Sequence, residues 1–186
     1  MKIVLATSPV EENDLLTLMG VASYAHRLEK EPGVEAVFFP RERLREFDEK
    51  EKKILEATAL ETGLVLGIGI EENNGDVYAI FGPGVSTFLA PKDDPVFLPL
   101  SVPLLVGMGP NSFGSPLPLV YLGDRDATKE SALKDVDPNR ETYYLGPCLE
   151  TFEASVFEKG SIKCEIPSSS PNFLLKSVPD PFAKGE

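Results

Sequence analysis

KIVLATS (residues 2–8), VEAVFF (34–39) and LVLGIGI (64–70) are apolar runs too short for typical globular helices and rich in branched side chains, so each reads as a buried strand. The segments between them carry the helical period instead. Asp14 is placed to cap a helix whose apolar positions Leu15, Leu18, Val21, Ala22, Ala25 and Leu28 recur at three- and four-residue spacing, and Pro32-Gly33 stops it. A second helix is expected to start at Asp48, with Glu51 completing a capping box, to run through Ile54, Leu55, Thr58 and Ala59, and to end before Gly63. Residues 41–47 are expected to add a turn ahead of it. The result is a βαβαβ order, and parallel strands gather their ligand-binding loops at the carboxyl edge of the sheet.

Composition sets the class. A chain of 186 residues with 42% hydrophobic content suits one domain with its own core. No apolar run approaches the length of a membrane span, and the opening MKIVLATSPVEEN turns acidic at once, as a buried strand does and a secretory signal does not. The expected location is therefore cytoplasmic, with no membrane partner. A net charge of −12 repels phosphate backbones, and no Lys/Arg stripe offsets it, so nucleic acid is not an expected partner. Cys148 and Cys164 lack CxxC spacing and the lone His26 cannot complete a zinc set, so structural zinc is not expected and the thiols are read as separate. His26 itself, on the flank of the first helix's apolar stripe, is read as structural.

The chain changes character near residue 82. Of its 17 prolines, only Pro9, Pro32 and Pro40 precede that point, and proline resists both helix interiors and central strands. Residues 83–166 are thus expected to be mainly β and loop. After LVLGIGI, Asn73-Asn74-Gly75 predicts a hairpin with residues 76–81 returning antiparallel. Short extended segments are expected at 85–89, 96–100, 103–108 and 117–122, a short helix at 127–134, and a second hairpin from 152–158 and 161–166 around Lys159-Gly160. Residues 167–186 read as a surface tail, and no internal repeat is visible. The expected fold class is α/β: an N-terminal βαβαβ half over 1–82, then the proline-rich half, within a single domain of two or three layers.

Candidate chemistry lies in loops. Thr7, Ser8 and Asn13 follow the first strand and open a helix, a place that suits an anion. Asn73 sits beyond the third strand, and Arg41, just past the second, is the expected charge partner of a phosphorylated ligand, with Arg43 as an alternative. Asn111 and Ser112 lie in the glycine-rich stretch 107–114, which otherwise reads as a turn between strands. Asp124 and Asp126 stand two residues apart at a strand end, where paired carboxylates can share a divalent metal such as magnesium, or where one of them caps a short helix. Asp93-Asp94 forms another acidic turn.

Resemblances are local. Asp124-Arg125-Asp126-Ala127-Thr128 resembles the first motif of haloacid-dehalogenase-like phosphatases, and its Asp-x-Asp core resembles that of metal-dependent nucleotide-sugar glycosyltransferases; both imply metal-assisted hydrolysis or transfer. KIVLATS and Asp94-Pro-Val-Phe-Leu-Pro99 look like fragments of the nucleoside-triphosphate pyrophosphatases, but that family's Asn and Lys after the first strand are Pro9 to Glu11 here, and its Ser-His-Arg element is missing. The first seventy residues resemble flavodoxin-like and cobalamin-binding-like domains, without the cobalamin motif, which implies fold alone. The function expected is a small-molecule-binding α/β protein acting as a metal-assisted hydrolase or transferase on a phosphorylated metabolite or nucleotide. The alternative is a non-catalytic module that buries apolar segments such as VFLPLSVPLLVGM against a protein partner or a second copy.

Overall fold

The computed structural model describes residues 1–6, 13–41, 44–72, 75–108, 116–123, 134, 137, 140–146, 154–158, 161–165 and 173–183. Two helices and twelve strands are defined among them. The first half follows the expected order: β1 (Lys2–Ala6), α1 (Asp14–Leu28), β2 (Val34–Phe38), α2 (Glu49–Thr62), β3 (Val65–Glu72) and β4 (Gly75–Gly82). The remainder is β5 (Val85–Leu89), β6 (Val96–Leu98), β7 (Leu104–Gly107), β8 (Leu119–Leu122), β9 (Thr142–Leu145), β10 (Ala154–Glu158), β11 (Ser161–Glu165) and β12 (Phe173–Ser177). The expected helix at 127–134 falls almost wholly outside the described residues.

The strands form two six-stranded sheets, in the orders β12-β1-β2-β3-β4-β5 and β11-β10-β9-β8-β7-β6. This corrects the flavodoxin-like expectation. In that fold the first strand lies between the second and third, whereas here β1, β2 and β3 are laid down side by side in chain order, parallel to one another. Both helices cover one face of the first sheet, through Leu18, Val21, Ala25, Leu55 and Ala59 against Val4, Val37, Leu66 and Phe81. No described helix covers the opposite face. It packs on the second sheet, with Ile3, Leu5, Phe38, Tyr78 and Ile80 meeting Leu98, Leu104, Val106, Val120, Leu122, Tyr143 and Leu145 in one apolar core.

Within the apolar stretch VFLPLSVPLLVGM, Leu98, Leu104 and Val106 are fully buried against the first sheet, while Phe97 is exposed. The tail reading is corrected too. Phe173–Ser177 pairs antiparallel along β1, and Val178 N donates to Met1 O at 3.0 Å.

The second sheet repeats the strand pattern of the first. Parallel β7-β8-β9 match β1-β2-β3, antiparallel β10 and β11 match β4 and β5, and β6 flanks β7 as β12 flanks β1. The repeat is one of backbone topology, because different apolar side chains fill equivalent strands equally well.

Candidate functional site

Each parallel triplet has a carboxyl edge, and a side chain ties the two edges together. β2 ends at Phe38, and Phe39 continues past it, donating its N–H to Gly67 O at 2.8 Å while its carbonyl accepts the Tyr78 hydroxyl at 2.6 Å. Burial pushes the Tyr78 phenol well above its usual range, so it is a fixed donor. Its ring occupies the space over Gly67, where a Cβ would come within 2.5 Å of Tyr78 Cε1. The glycine is there for close approach. Two residues beyond Phe39, the buried Arg41 guanidinium reaches across to the end of β8, with Nη1 3.5 Å from Leu122 O. The next residue, Gly123, donates to Leu145 O at 2.8 Å and lies under the Tyr144 ring, which leaves no room for a Cβ.

Where a turn was expected at 41–47, the described residues on either side of 42–43 run along β3: Gly69 N donates to Pro40 O, Leu44 N to Gly69 O and Glu71 N to Leu44 O. Its far end is held by the Asp14 carboxylate, which accepts from the N–H groups of Arg45 and Glu46 at 2.8–3.1 Å. Asp14 is therefore a tether, and the cap of α1 is Asn13, whose side-chain oxygen accepts from Leu16 N at 3.0 Å. The cap of α2 is Asp48, with the Glu51 capping box as expected.

Of the ligand residues expected from sequence, the structure thus describes Asn13 and Arg41, both at this edge. Asn13 is engaged as a helix cap, and Arg41 spans the two sheets. Thr7, Ser8, Arg43, Asn73, Asn111, Ser112, Asp124 and Asp126 lie outside the described residues. Asp93 closes a turn, its carboxylate accepting from Ala90 N at 2.8 Å, and among the described residues no cluster of three or more His, Cys, Asp or Glu is arranged around a metal position. His26 stands near the other end of α1, half-buried, with Nε2 3.3 Å from Glu61 and Nδ1 3.7 Å from Glu29, which links the two helices. Cys164 lies on β11, three strands from β8 and so roughly 14 Å from it. Cys148 lies outside the described residues. A broad depression of about 710 Å³ over the first turns of α2 is lined by Asp48, Glu49, Lys50, Lys53 and Ile54.

The residues sequence reasoning missed are Tyr78, Gly67, Gly123 and Tyr144, which shape this edge. Gly67 within LVLGIGI was the signal for the Tyr78 approach, and Gly123 at the end of LVYL the signal for Tyr144, since a glycine in or beside a strand marks the close approach of another group.

No protein-family model and no curated protein matches the sequence. Solved structures do. An amidase from Nesterenkonia sp. AN1, carrying the acetamide moiety of fluoroacetamide at its active site cysteine, is similar with a TM-score of 0.66 at 12% identity, covering 97% of this chain and 90% of that one. A CN-hydrolase superfamily protein from Xanthomonas campestris gives 0.63 at 7% identity over 95% and 89% of the two chains. A glutamine-dependent NAD+ synthetase from Acinetobacter baumannii gives 0.63 at 11% identity, covering 94% of this chain and 44% of that one. The architecture is therefore the CN-hydrolase fold, and at these identities the likeness concerns the fold alone. Among the described residues no helix is long and apolar enough to cross a membrane.

Proposed function

We propose that this chain binds a small anionic molecule at the joined carboxyl edges of its two parallel triplets, with Arg41 as the charge partner. The observation that supports this reading is the buried guanidinium spanning from the end of β2 to Leu122 O. A guanidinium is a rigid planar fork of donors that pairs with a carboxylate or phosphate in two parallel hydrogen bonds. At the ends of parallel strands it stands where open sheets receive ligands. The ligand class is a small carboxylate or phosphate ester.

The test is isothermal titration of the protein with a panel of small dicarboxylates and sugar phosphates, repeated on Arg41→Gln. Saturable binding by the unmodified chain that falls at least tenfold in the variant supports the reading. Equal affinities in the two, or no binding across the panel, would sink it.

A second reading, hydrolysis of a small amide, is favoured by the fold shared with amidases. That amidase carries its covalent adduct at an active site cysteine. Here Cys164 is three strands away from β8, so Cys148 is the thiol to test. Ammonia release from short aliphatic amides that disappears in Cys148→Ala would favour the enzyme over the simple binder. The metal-assisted version rests on Asp124 and Asp126 and predicts magnesium binding that is lost in the double Asn variant. Self-association is likewise a proposal, checked by light scattering.

A further inference from the structure

At the start of β9, away from the carboxyl edge, two buried polar groups lack hydrogen-bond partners. Arg140 is 3% exposed and Thr142 is fully buried. The guanidinium is anchored by one end, Nε donating to Leu117 O at 2.7 Å. Its Nη1 and Nη2, and the Thr142 hydroxyl, meet no hydrogen-bond partner among the described residues. Tyr143 and Leu145 point into the core between the sheets, so by strand alternation Thr142 shares the outer face with Tyr144. Leu117, whose carbonyl anchors the guanidinium, packs its side chain against that same outer cluster, and Arg140 precedes Thr142 by two residues.

Buried charged donors are ordinarily paired, because stranding them costs their full desolvation. Burial draws Arg140 below its ordinary range and Asp137 offsets this in part. The other nearby carboxylate, Glu141, accepts the Tyr143 hydroxyl at 3.0 Å. We propose that Arg140 and Thr142 form a buried subsite for a small oxyanion, a carboxylate or inorganic phosphate, held in the fork of Nη1 and Nη2 with the Thr142 hydroxyl as an added donor. With a net charge of −12 the protein has no general attraction for anions, so recognition must be local.

Thermal unfolding of the full chain in sodium acetate or sodium phosphate, against sodium chloride at matched ionic strength, tests this. The expected result is a saturating rise in Tm of at least about 2 °C with one of the oxyanions, by preferential binding to the native state. Arg140→Met should abolish the response. Thr142→Val, which removes an unsatisfied hydroxyl and keeps the shape, should fold with an unchanged or higher Tm in chloride and respond only at several-fold higher anion concentration. A Tm that is the same in all three salts, a rise that is linear and never saturates, or a Thr142→Val protein with the full response would overturn the subsite.

Discussion

Tyr78 shows how one side chain organises the candidate edge. Its ring fills the gap over Gly67 and its hydroxyl holds the Phe39 carbonyl, so the strand end that launches Arg41 is fixed from behind. Tyr78→Phe leaves that buried carbonyl without its donor and is expected to lower unfolding free energy by about 1–2 kcal/mol in urea titration. Gly67→Ala is expected to cost about 1–3 kcal/mol by overpacking against the same ring. If the alanine variant is as stable as the parent, the close approach is not a constraint. By contrast, His26→Gln removes only exposed contacts to Glu61 and Glu29, and its expected cost in the same titration is under about 0.5 kcal/mol. Arg41 was legible in the sequence as a cation just past a strand. Arg140 was not, because nothing in the polar run Asp137-Pro-Asn-Arg-Glu141 distinguishes a guanidinium that folds inward from one in solvent.

The elements of the first half were readable because each declares itself locally, through period, cap and stop. Asp48 is the clearest case, and it sets a pH dependence. Its carboxyl is held below the ordinary 3.8 by the hydrogen bond with Glu51 and by the Lys50 amide, so its contribution is complete above the unfolded value and is lost as pH falls through the lower folded one. Stability measured from pH 5 downward should therefore fall less steeply in Asp48→Asn, which keeps a capping oxygen without the titration. Identical slopes would remove Asp48 from the acid response. The unread elements are β9 and β12. β9 is a four-residue run, TYYL, too short to display a strand period even between the turn residues Asp137-Pro-Asn139 and Gly146-Pro147, and β12 draws its identity from β1 at the opposite end of the chain, beyond the reach of any local pattern. Ending the chain after residue 172 would bare the hydrogen-bonding edge of β1, and the shortened protein is expected to show a lower Tm and added mass by light scattering. An unchanged Tm and a monodisperse sample would assign β12 no role in closing the sheet.

For the molecule as a whole, the core between the sheets belongs equally to both halves of the chain, so neither sheet keeps its buried face without the other. The five tyrosines and the absence of tryptophan make this measurable, since Tyr121, Tyr143 and Tyr144 lie on the second sheet while the described helices lie on the first. Tyrosine fluorescence and helical circular dichroism should follow coincident urea transitions, and separated midpoints would mean the sheets unfold independently. Stacking of one sheet on the other was not legible, because the pattern of buried strands is the same whether helices or a second sheet cover the free face. Strand order was hidden for a related reason, as the crossovers are long enough to allow either neighbour.

The matched roles of β6 and β12 bear on how the chain is threaded. Val178 is hydrogen-bonded to Met1, which brings the end of β12 beside the start of β1, and the β5–β6 connection at residues 90–95 is the counterpart of the link from β11 to β12. A circular permutant that begins near Pro91, joins the old ends and finishes near Ala90 would start on an edge strand as the matching half does, and would redraw which half of the fold emerges first during synthesis without disturbing either carboxyl edge.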